Sequence, residues 1–156
     1  MELITPDGKG PMPSSIGTYE LISCTKLKNT STTNEPFEER KKRIEEGRIT
    51  PFEQINHRLC MIMTMLGRYS FEAILQPGET CELPTEDEVI CVVFDEFDSD
   101  GIPFNIEDKT HGLLLCIEIF RSEMEYAMQH GSRDLLAKLK AAKAYPYSDL
   151  DRESVV

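Results

Sequence analysis

Residues 96–107, EFDSDGIPFNIE, place oxygen-bearing side chains at positions 1, 3, 5 and 12 of a twelve-residue loop, with Gly101 at position 6. An EF-hand holds Ca²⁺ with that spacing, because the glycine makes the sharp turn and the final glutamate chelates through both oxygens. The surroundings oppose calcium. Position 1 is Glu96 rather than aspartate, Pro103 takes position 8, and the flanks VICVVF and HGLLLCIEIF have the composition of strands, not helices. The segment is predicted to be an acidic hairpin loop, with no metal.

Thiols and imidazoles are the other reactive groups. Cys24, Cys60, Cys81, Cys91 and Cys116 form an odd set without a C-x-x-C pair, and Cys60, Cys91 and Cys116 sit in apolar segments. They read as reduced, mostly buried thiols of a reducing compartment. His57 and Cys60, one helical turn apart, fall short of the three or four ligands that zinc needs. His57 and His130 have helix positions that explain them, whereas His111, entering a strongly apolar strand, has none. An enzyme or ligand-binding domain would draw on His111, Cys116 and nearby carboxylates, provided the fold brings imidazole and thiol together. G-x-S-x-G, H-E-x-x-H, P-loop and dinucleotide fingerprints are absent. The chain is therefore expected not to be an enzyme, with the His111–Cys116 reading as the alternative.

Charge is the strongest signal. The formal net charge is −11, from 28 acidic and 17 basic residues, and no Lys or Arg occurs from Tyr69 through Asp108. That window holds Glu72, Glu79, Glu82, Glu86, Asp87, Glu88, Asp95, Glu96, Asp98, Asp100, Glu107 and Asp108, so the rest of the chain is close to neutral. Nucleic acid is excluded as a ligand, because its binding draws on clustered Lys and Arg. The natural complement is a basic protein, steered in by opposite potentials. Acidic loops also serve solubility alone, and the window admits that use. Phe97, Ile102 and Phe104 lie among the acids and could anchor a partner or pack on the core.

These groups must be positioned by a single domain, since 156 residues bury a core of ordinary size without staples. No apolar run approaches the ~20 residues of a membrane span, and MELITPDGKGP lacks the features of a leader, so a cytoplasmic protein is expected. Residues 1–17, dense in Pro and Gly, read as an irregular arm ahead of the domain at 18–156. A first strand is predicted over Tyr19–Lys26 and an exposed charged helix over Phe37–Glu46. The clearest helix starts at Thr50: Pro51 suits the first position, Glu53 completes a T-x-x-E capping box, and Phe52, Ile55, Leu59, Ile62, Met63 and Leu66 line one face. Strands are predicted at Glu72–Leu75, Val89–Phe94 and, as the central one, Leu113–Phe120, with a turn-rich acidic stretch between the first two. Ser122 with Glu125, and then Ser132, are expected to cap two closing helices. The tail, SDLDRESVV, returns as an extended segment. The sum is an α+β fold with a mostly antiparallel sheet packed against helices.

From about Tyr19 to Val156 the order of segments resembles the bacterial suppressor-of-fused-like domain family. The residues that carry it are YELISCTK, FEQINHRLCMIMTMLGRY, LQPGETCELP, VICVVFDEF, LLLCIEIFRSEMEYAMQHGSRDLLAKLK and YPYSDLDRESVV. The shared pattern is an Arg-Tyr helix end before a Pro-Gly turn, then an E-x-E-Y helix, an HG junction and a closing S/T-D-L-x-R-x-S-V tail. The resemblance implies a non-catalytic protein-binding module with no cofactor. Bacterial members look like immunity proteins that neutralise a cognate toxin. The related animal domain clamps a transcription-factor peptide, and no residue of that site aligns here.

Resemblance and charge together give one expectation: an immunity-type module that covers a basic partner with Glu82, Glu86, Asp87, Glu88, Asp95, Glu96, Asp98 and Asp100, and that binds neither nucleic acid nor membrane.

Overall fold

The structure, a computed structural model, describes residues 14–29, 35–70, 72–97, 104–106 and 109–156. The elements in chain order are β1 (Thr18–Ile22), α1 (Phe37–Glu45), α2 (Pro51–Tyr69), β2 (Thr80–Pro84), β3 (Val89–Glu96), β4 (Phe104–Ile106), β5 (Lys109–Ile119), α3 (Arg121–His130) and α4 (Ser132–Ala141). The sheet runs β1-β5-β3-β2, with β4 also on β5. Every pairing is antiparallel except β1 with β5. His111 is in register with Thr18 on one side and with Phe104 on the other, so β4 lies on the β3 side of β5. The α+β fold with a mostly antiparallel sheet is as the sequence led us to expect.

Strands β3 and β5 read as continuous apolar runs because helices cover both faces of the sheet. Strand alternation sends Cys91, Val93, Leu115, Ile117 and Ile119 to a core completed by Met124 and Ala127 of α3 and Leu135, Leu136 and Leu139 of α4. The intervening Ile90, Val92, Phe94, Leu114 and Cys116 meet Ile62 and Leu66 of α2 on the other side. Helix α2 has the cap read from sequence: Glu53 N–H donates to Thr50 Oγ1 at 3.2 Å, and Thr50 N–H donates back to Glu53 Oε2 at 2.9 Å. Residues 14–17 form a turn closed by Gly17 N–H to Ser14 O at 2.9 Å, which puts Ile16 into the α2-side core. Gly112 lies directly against Ile16, whose side-chain carbons would stand 2.8 Å from a Cβ at that position.

Several elements differ from the sequence expectation. Residues 72–75 are not a strand: Glu72 and Ala73 both donate to Tyr69 O, prolonging the turn that ends α2, and Leu75 is buried under Tyr19. β2 lies in the stretch expected to be only turn, and it pairs with β3 from Thr80↔Val93 to Pro84↔Val89. As an edge strand with alternating exposure it has no apolar run to announce it. β1 ends at Ile22, four residues early, because Ser23 diverts its hydroxyl to Cys116 O at 2.8 Å. Helix α3 is capped two residues earlier than expected, with Glu123 accepting from Phe120 N–H at 3.0 Å, while α4 starts after Gly131 at φ +95°. Cys60, expected inside, is exposed on the outer side of α2.

Candidate functional site

Three glutamates in the described residues are buried and held by arginines from distant segments. Glu118, the polar residue in the central strand β5, is 2% exposed. Its carboxylate accepts from Arg58 Nε at 2.8 and 2.9 Å and from Nη2 at 2.5 Å. Arg58 stands on α2 and reaches on to Glu88 at 2.7 and 3.1 Å, which ties the helix to the β2–β3 turn. Both acids raise the Arg58 pKa, and Arg58 holds the Glu88 carboxyl below its usual range.

Glu123, fully buried in the first turn of α3, accepts from Arg152 Nη1 at 2.5 Å and Nη2 at 2.8 Å, and from Val155 N–H at 3.0 Å. The E-x-E-Y helix and the S-D-L-x-R tail, which carry the family resemblance in sequence, therefore meet in space. Asp149 completes the tail's attachment by accepting from Thr25 Oγ1 at 2.5 Å and Lys26 N–H at 2.8 Å. Glu53 accepts from Arg43 at 2.7 and 2.9 Å and from Arg40 at 3.2 Å, so the α2 cap also anchors α1. The Arg43 bonds hold the Glu53 carboxyl far below the usual carboxylate range. These clasps explain motif residues as scaffold, because a buried carboxylate without its cation would be strongly destabilising.

The acids proposed for a partner divide into four groups. Glu86 and Asp87 form the exposed tip of the β2–β3 connection, and no ion pair within the described residues engages them. The tip is held rigidly: Thr85 N–H donates to Glu88 O at 2.8 Å, and Glu88 N–H donates to Thr85 Oγ1 at 3.0 Å. Glu82, Glu88 and Asp95 have internal cations, respectively Arg121, Arg58 at 2.7 Å and Lys140 at 3.2 Å. Glu96 is exposed at the far end of β3, roughly 25 Å from the tip at ~3.3 Å per strand residue. Asp98 and Asp100, with most of the EF-hand-like segment, lie outside the described residues. One strand thus carries two acidic ends. Sequence could mark the acids but not the cations that neutralise some of them, because Arg58, Arg121 and Lys140 come from α2, α3 and α4.

The alternative constellation does not assemble. His111 and Cys116 are five residues apart on β5 in unbroken register, so their side chains leave opposite faces of the sheet. Cys116 is buried in the α2-side core, and burial pushes its thiol up to about 12, which disfavours the nucleophilic thiolate. No cluster of three or more His, Cys, Asp or Glu suited to a metal occurs among the described residues. Phe97 packs on the α3–α4 core rather than standing free. No helix among the described residues is long and apolar enough to cross a membrane.

The described residues thus form a mixed sheet covered on both faces, locked by buried acid–arginine clasps, with an acidic hairpin at one edge. A family model described as Suppressor of fused protein (SUFU) matches residues 20–153, and the chain belongs to that family. Membership points to a protein-interaction domain. No curated protein and no solved structure matches the chain.

Proposed function

We propose that this chain is a non-catalytic, cytoplasmic protein-binding module whose domain spans residues 18–156 and whose partner presents a basic surface, in the manner of an immunity protein that neutralises a toxin by covering it. The observation that carries the reading is the β2–β3 hairpin: two unneutralised carboxylates, Glu86 and Asp87, at the tip of a turn braced through Glu88 and Arg58 to buried Glu118. Rigid display of like charges costs little ordering on binding and speeds encounter with a cation-rich face. Glu96, at the opposite end of β3, supplies a second contact, and the proposed partner-binding set extends in sequence to Asp98 and Asp100.

The test is an affinity column carrying the wild-type chain, beside one carrying Glu86→Gln/Asp87→Asn, loaded with lysate of the source cells at low salt. A basic protein retained on the first, lost from the second and eluted by salt would support the reading. Equal retention on both columns would reduce the hairpin to a solubility device.

A further inference from the structure

We propose that the groove between the C-terminal half of α4 and residues 152–155 is a second binding site, for a carboxylate-rich linear segment of a protein partner. It has a volume of about 490 Å³, and its lining includes Lys26, Lys138, Arg152, Ala141, Ala144 and Val155. That size falls in the range of ligand clefts, and this one is open to solvent.

The charge in this groove runs against the rest of the molecule. Lys26 and Lys138, like Lys28, Lys41, Lys42 and Lys143, have no carboxylate partner among the described residues, but these two alone of the six line this groove. Each ammonium instead rests 5.2 Å from the centre of an aromatic ring, Tyr147 for Lys26 and Tyr126 for Lys138. Such a ring holds the chain of a lysine in place while leaving its donors open. The third cation, Arg152, is fixed by Glu123 and by Phe120, whose ring centre is 4.9 Å away, and its buried Nε has no hydrogen-bond partner. Glu153 is the acid on the rim, and its side chain is exposed.

The basic residues come from three separate segments, the chain after β1, helix α4 and the tail, and Arg152 is the one already paired, with Glu123. Between them the alanines leave a smooth apolar floor that suits a main chain with small apolar side chains. A groove along another side of α4, lined by Pro77, Asp95, Arg133 and Lys140, carries its own carboxylate, Asp95, which accepts from Lys140 at 3.2 Å, whereas Lys26 and Lys138 pair with no such acid among the described residues.

The probe is a fluorescein-labelled heptapeptide of alternating glutamate and leucine, titrated by anisotropy into the full chain, with free glutamate and inorganic phosphate as competitors. Because the chain is net negative, general attraction opposes binding and only a local site produces it. Lys26→Ala/Lys138→Ala should bind roughly tenfold more weakly, as expected for two lost ion contacts. Lys41→Ala/Lys42→Ala on exposed α1 should bind as wild type does, and melting curves of both variants should match wild type. The proposal is overturned by absence of binding, by equal binding of the glutamine version of the peptide, by equal losses in the two double variants, or by displacement at equal concentrations of the small anions. No partner is needed for this assay, so its failure leaves the acidic-hairpin reading untouched.

Discussion

Replacing Arg152 with methionine keeps the reach of the side chain over Phe120 but removes the cation that a fully buried carboxylate faces. Glu123 loses two charge-assisted bonds, of 2.5 and 2.8 Å, and keeps only the N–H groups of Phe120 and Val155 at 3.0 Å each. Breaking a buried pair from one side costs about 3–5 kcal/mol. At 2–4 °C per kcal/mol for a chain of this size, the melting temperature should fall by roughly 6–20 °C. Urea unfolding should show a lower midpoint with little change in slope. The effect carries a pH signature. Burial pushes the Glu123 carboxyl up, but Arg152 and the two backbone donors outweigh it and hold the group below the usual carboxylate range. A depressed carboxyl contributes stability that is complete above the unfolded value of about 4.3 and is lost as pH falls through the lower folded value. In the variant, protonation relieves the unpaired charge, so the gap between variant and wild type should be widest near neutral pH, narrow as pH falls, and close only when the wild-type carboxyl is itself protonated. A loss under about 1 kcal/mol, the scale of an exposed ion pair, with no pH dependence, would refute the clasp as the tail's anchor.

Three further outcomes follow from the same structure. Gly112→Ala should destabilise by about 1–3 kcal/mol in thermal melts through overpacking against Ile16, and Ile16→Val in the same chain should recover part of it; an unchanged melting temperature would contradict the 2.8 Å approach. Native thiol labelling followed by mass mapping should modify exposed Cys60 first, with Cys91 and Cys116 reacting only on unfolding, and fast modification of Cys116 would overturn its placement in the core. Glu118→Gln should cost more stability than Glu88→Gln, because Glu118 is 2% exposed while Glu88 is half in solvent; equal losses in denaturant titrations would show that the buried member of the pair is not the anchor.

Local signals in the sequence were reliable wherever the chain itself closes the interaction. The Thr50–Glu53 box sets the start of α2, and its spacing of apolar residues finds Ile62 and Leu66 in the core. The double-sided burial of β3 and β5 was legible as unbroken apolar runs. Long-range partners were not. Glu118 is an isolated acid in an apolar strand, yet nothing local indicates that Arg58, sixty residues earlier, donates to it. Glu123 was hidden because Ser122 and Glu125 offered an equally good capping pattern two residues later. Cys60 read as interior because its neighbours on α2 are apolar, but helical phase turns it outward from the face that Ile62 and Leu66 bury. For the candidate surface, composition marked the acids, while only tertiary contacts separate the free tip at Glu86 and Asp87 from acids already neutralised at Glu82, Glu88 and Asp95.

The central claim concerns how a partner is met, and the most direct measurement is the association rate of the captured partner across ionic strength, for wild type and for Glu86→Gln/Asp87→Asn. We predict a wild-type rate that falls steeply as salt screens the hairpin, a variant rate that is lower and nearly flat, and dissociation rates that differ little. Identical salt slopes for the two chains would contradict the claim that the acidic hairpin steers binding.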